Sequence, residues 1–123
     1  MRWLWIFAGG GLGAVVRYEL GGWVQAHGGS AFPWGTFAVN ALGCFAIGLL
    51  ATWIDERGGG GPELRAFLLT GVLGGFTTFS AFGLETWRLA EEAAVFSATA
   101  NALGSVAVCV VAVATGVALA RLT

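Results

Sequence analysis

The sequence predicts an all-α membrane protein of four transmembrane helices, the third broken near mid-membrane, forming a single domain over residues 1–123. Three observations predict it. Hydrophobic residues make up 57% of the chain and charged residues 11%, whereas a soluble domain carries about 25% charged residues. Residues 93–120 run 28 positions without a charge, and about 20 apolar residues suffice to cross a bilayer core. The 21 glycines and six tryptophans also fit, since Gly is common in spanning helices and Trp at their interfaces. Mean hydropathy is +0.80.

The first span covers about residues 3–26. Its opening, "MRWLWIFAGGGLGAVV", imitates a signal peptide, but no small-residue cleavage site ends the run and three more spans follow. Arg17 and Glu19 interrupt it. "HGGSAFPWG" (27–35) is a turn-rich loop, and the second span follows over about 36–54. "DERGGGGPE" (55–63), charged and glycine-rich, is the plainest loop in the chain. The third span takes about 64–90, closed by Glu91 and Glu92, and the fourth about 94–121. These spans leave no room for a soluble domain. A unit this small cannot enclose a wide pore alone, so an oligomer is expected. Arg2, Arg57, Arg65 and Arg121 lie towards one side, Arg17 and Arg88 towards the other, and lysine is absent. That weak bias permits insertion in both orientations.

Several functions are excluded early. A net charge of −1 without a basic tract gives nucleic acid nothing to hold. Cys44 and Cys109 fall inside apolar spans, where thiols act as packing residues rather than as a disulfide framework or metal site. His27 is the only histidine, and no catalytic constellation exists, so the chain does not read as an enzyme.

Residues four apart share a helix face. Gly9, Gly13 and Arg17 form one such row, Thr36, Asn40, Cys44 and Gly48 a second, and Ser97, Asn101, Ser105 and Cys109 a third. Small residues on such rows let helix backbones approach. Asn40 asks for more, since its amide offers two donors and an acceptor about one turn into the membrane. Arg17 either snorkels to the interface or lines an aqueous vestibule where it concentrates anions. Glu19, Glu85 and the Glu91–Glu92 pair all sit towards helix ends, leaving no carboxylate at depth for a proton-coupled pump. Rows rich in donors and poor in carboxylates favour an anion.

"GGFTTFSAF" (74–82) is the anomaly of the third span. Each glycine weakens a helix by about 1 kcal/mol relative to Ala. Open backbone at membrane depth survives only in protein or beside a cavity, so the break requires an ion, water or a partner chain. Phe79 and Phe82 are three apart and share a face. Their positive ring edges can meet an anion while offering little to its water shell.

With "GGGLGAVVRY" (9–18), "GTFAVNALGC" (35–44), "GGFTTFSAF" and "NALGSVAVC" (101–109), the chain resembles, over essentially its whole length, the Fluc (CrcB) family of small four-span fluoride channels. The resemblance implies a passive fluoride pathway in a bacterial cytoplasmic (inner) membrane. It also implies an antiparallel, dual-topology homodimer and a structural sodium ion at the dimer centre. The matching sodium positions are Gly74 and Thr77, through backbone carbonyls. The matching pathway positions are Phe79 and Phe82 as aromatic box, Asn40 as the donor beside it, Ser80, Ser105 on the fourth helix, and Arg17 at the vestibule. The chain departs from the family pattern at Ala81, often Thr, at Phe76, often Leu, and at Cys109, where a hydroxyl is found.

Two other readings compete. A small proton-coupled exporter fits the size but wants a glutamate midway along the first helix, where Leu12, Gly13 and Ala14 stand. A non-transporting assembly subunit fits the small-residue faces but leaves Asn40 and the broken helix without purpose.

Overall fold

The computed structural model describes residues 1–123, and it is helical throughout, without a strand. α1 runs Arg2–Gly28 and α2 Trp34–Arg57. Gly58 ends α2 in the left-handed region (φ 64°, ψ 31°), where only glycine carries no Cβ penalty. Pro62 opens the third segment at a position where its missing N–H costs nothing. This segment is composite: α3 (Pro62–Arg65), a π-helical stretch (Ala66–Leu73), α4 (Gly74–Phe76), an extended break, then α5 (Ser80–Glu91). α6 (Val95–Leu122) completes the chain. Between α5 and α6, Ala93 takes a left-handed φ of 60° while the Ala94 N–H closes onto the Leu89 carbonyl at 2.9 Å.

Three helical segments are long and apolar enough to cross a membrane: Trp34–Arg57, Pro62–Glu91 and Val95–Leu122. α1 has the length, with 27 residues, or about 40 Å at 1.5 Å per residue. Arg17 and Glu19 hold its hydropathy below that of the others. Only 16 of 123 residues are buried, and Phe7, Phe96 and Leu122 are each more than four-fifths exposed. So much outward apolar surface suits lipid and protein neighbours rather than water.

Glycine sets the packing in two places. α1 lies backbone-to-backbone on the first half of the third segment, where a Cβ on Gly13 would strike the Val72 carbonyl and approach the Phe76 nitrogen to 2.9 Å. A Cβ on Gly75 would likewise collide with the Gly10 carbonyl. α2 and α6 meet in the same way, Gly48 against the Val113 carbonyl and Gly116 against that of Phe45. These two helices run parallel, for Arg57 Nη2 at the end of α2 donates to the Ala120 carbonyl near the end of α6 at 3.1 Å.

Candidate functional site

The site begins with how the break is held. Thr77 is extended (φ −84°, ψ 154°), so the helix ends at Phe76. The N–H and hydroxyl of Thr77 both donate to the Leu73 carbonyl at 3.0 Å, sealing the last turn. Asn40 reaches across from α2 and grips the next residue twice: Nδ2 donates to the Thr78 carbonyl at 2.9 Å, and Oδ1 accepts the Thr78 N–H at 2.8 Å. Gly43, one turn further along α2, makes room, because any Cβ there would run into the Thr77 methyl. From α1, Arg17 Nε donates to the Gly75 carbonyl at 3.0 Å. Protein side chains therefore satisfy much of the opened backbone that the sequence left to an ion, water or a partner. Several carbonyls are left over: outside the regular helix ladder, no hydrogen bond of the chain ends on Gly74 O, Phe76 O or Thr77 O.

Around the break lie two cavities. The first, about 260 Å³, is lined by Asn40, Cys44, Thr78, Phe79, Phe82 and Ser105, among others. Phe79 and Phe82 stand with ring centroids 5.4 Å apart and planes tilted by 36°. Phe79 is 83% exposed. Behind Phe82 runs a fixed polar chain: Ser105 Oγ donates to Asn101 Oδ1 (3.3 Å), Asn101 Nδ2 to Thr86 Oγ1 (2.8 Å), and Thr86 Oγ1 to the Phe82 carbonyl (2.8 Å). Asn101 is 2% exposed, and these bonds are what its burial requires.

The second cavity, about 310 Å³, is lined by Arg17, Thr36, Thr78, Ala81 and Glu85, among others. Glu85 corrects the sequence reading, which set it among carboxylates at helix ends. α5 restarts only at Ser80, so Glu85 lies in its second turn and turns inward. Thr36 Oγ1 donates to Glu85 Oε1 at 2.7 Å, while Oε2 is buried without a partner.

Asn40, Phe79, Phe82 and Ser105 thus gather in the first cavity with Thr77. Arg17 belongs to the second. Ser80 lines neither, but its hydroxyl lies 3.4 Å from that of Thr78. Thr78 also accepts the Ala81 N–H through its hydroxyl at 3.3 Å, so a hydroxyl already serves the position next to Ala81. Sequence reasoning missed Thr78, the residue common to both cavities, and Thr86. The Thr-Thr doublet after Gly-Gly was the available signal for Thr78. Nothing local marked Thr86.

A family model described as "CrcB-like protein, Camphor Resistance (CrcB)" matches residues 4–117. The chain belongs to the CrcB family. It is 49% identical over 118 residues to "Fluoride-specific ion channel FluC" of Rhizobium meliloti (strain 1021), covering 96% of this chain and 94% of that protein. Proteins of the same name from Hahella chejuensis (strain KCTC 2396) and Geobacter sulfurreducens (strain ATCC 51573 / DSM 12127 / PCA) are similar too. The first is 44% identical over 119 residues (97% and 94% covered), the second 49% over 112 residues (91% and 90%). These CrcB relatives are ion channels, not enzymes, and the CrcB match spans the first helix, the break and most of α6.

Proposed function

We propose that the chain conducts fluoride passively across a bacterial cytoplasmic (inner) membrane. In this reading it is a single-domain, four-span subunit of an antiparallel, dual-topology homodimer. The observation that carries it is the lining of the first cavity. Phe79, Phe82, Asn40 with its second amide hydrogen unused, and Ser105 stand together there with no carboxylate among them. Such a lining offers weak donors and no negative charge, which suits a small anion that must shed water. The names of the relatives point to the same ion.

Exposure supports the dimer. Phe79 is open and Gly74 is exposed at the break, a poor surface to leave to lipid. A two-fold axis brings the same patch of a second copy against it. The residues also fit a sodium ion. Gly74 O and Thr77 O are among the break carbonyls that accept no hydrogen bond outside the helix ladder, and the half-helix that ends at the break presents the negative end of its dipole. Gly75 O and Thr78 O are taken by Arg17 and Asn40 and are not available. A sodium ion there would supply positive charge to oxygens that one subunit provides too sparsely to hold it.

The test is ion efflux from liposomes holding only the purified protein. Fluoride should leave far faster than chloride, with or without a proton gradient. Equal fluxes of the two halides would overturn the reading, and a strict need for the gradient would make the protein an exporter.

A further inference from the structure

Cys44 and Cys109 carry no role in the site described above, yet the packing places them together. α2 and α6 are parallel and touch where Gly48 meets Val113. One helical turn back from each contact residue stand Cys44 and Cys109, and one further turn back stand Asn40 and, on α6, Ser105. All four line the first cavity, so both thiols open onto the same space. Both cysteines are free and half-buried.

We propose that Cys44 and Cys109 form a two-sulfur site for a soft, thiophilic d10 cation, of the class of monovalent copper, monovalent silver and divalent mercury. Thiolates select soft metals. Zinc would need about four ligands, and no group of three or more His, Cys, Asp or Glu side chains assembles anywhere in the chain. Two sulfurs on facing helices suit linear two-coordination instead. Binding releases both thiol protons as two metal–sulfur bonds form. A monovalent ion then leaves a net charge of −1 in the cavity, and divalent mercury leaves none. Either product occupies the space beside Asn40 and Ser105. Blockage of fluoride follows, and that consequence, unlike the binding, rests on the function proposed above.

Divalent mercury is the practical probe, titrated into the intact protein in detergent and followed by the ultraviolet thiolate-to-mercury charge-transfer band. The parent should reach its end point at one mercury per chain. It should hold the metal against an excess of a monothiol that strips Cys44→Ser and Cys109→Ser, with a chelate advantage of about 100-fold or more. In proteoliposomes the same equivalent should lower fluoride efflux about tenfold or more, relative to each protein's own metal-free rate, and a dithiol should restore it. Alkylating the parent with N-ethylmaleimide gives the same comparison should a serine variant fold poorly. An end point of two per chain, or single variants that bind as tightly as the parent, would overturn the paired site. A full site with unchanged fluoride efflux overturns the blockage. One-equivalent binding in a protein that never passes fluoride leaves the thiol site standing and overturns the fluoride reading instead.

Discussion

Replacing Asn40 with alanine removes both hydrogen bonds that hold the Thr78 peptide, at 2.8 and 2.9 Å. The Thr78 N–H and C=O are then left half-buried without partners. Each unsatisfied group costs about 1–3 kcal/mol, and partial access to the cavity keeps the pair towards the lower end, about 2–3 kcal/mol together. Because about 1.4 kcal/mol is tenfold, local opening at the break should become roughly 30- to 150-fold more frequent. Hydrogen exchange on segment 77–80 reads this directly. The Thr78 amide should lose protection by that factor in Asn40→Ala, while amides of α6 stay near the parent. Asn40→Asp separates the two bonds, since one carboxylate oxygen still accepts the N–H while the other faces the Thr78 carbonyl and repels it. Intermediate protection is expected there. A Thr78 amide as slow in Asn40→Ala as in the parent would refute the reasoning, whatever the fluoride flux.

Phe82→Ile should cut fluoride efflux several-fold without dissolving the assembly, because the positive ring edge is lost at modest cost in volume; parent-like flux in a well-folded variant removes Phe82 from the pathway. Ala81→Thr should change efflux little, since the Thr78 hydroxyl already bonds the Ala81 N–H at 3.3 Å. Gly13→Ala should be severe, as its methyl would press on backbone of the third segment rather than on a movable side chain; overpacking of this kind costs about 1–3 kcal/mol or more, measurable as a lowered midpoint of unfolding in mixed micelles. Ala93→Gly should raise that midpoint slightly, relieving a left-handed alanine worth about 1 kcal/mol. Thorough exchange of sodium for a large organic cation should weaken both dimer and flux, and sodium should restore them.

What could be read from the sequence divides by range. Helices are local, and long uncharged runs such as 93–120 announce them. The break is local as well, because two glycines followed by two threonines weaken a helix wherever they stand. Its bracing is not. Asn40 and Thr78 are 38 residues apart and Arg17 and Gly75 are 58 apart, and only the glycine contacts among α1, α2 and the third segment bring those pairs together. The π-helical stretch "AFLLTGVL" was equally hidden, since it is apolar nearly throughout and shows no polar period that a wider turn would shift. Glu85 was misjudged for a related reason. It lies near the end of the hydrophobic run, but the helix that carries it begins afresh at Ser80.

Thr78 lines both cavities, so the two spaces are separated by little more than one residue and the side chains on either side of it. Were they to open to opposite faces of the membrane, water in both would make them extensions of the two bathing solutions, and the membrane potential would fall across the partition instead of across the full bilayer. An anion crossing that partition would exchange about 2.3 kcal/mol per 100 mV in a single step, the energy of the whole transmembrane field. The electrical distance of the crossing would then far exceed its length in ångströms. A residue with no charge of its own would become the place where voltage acts.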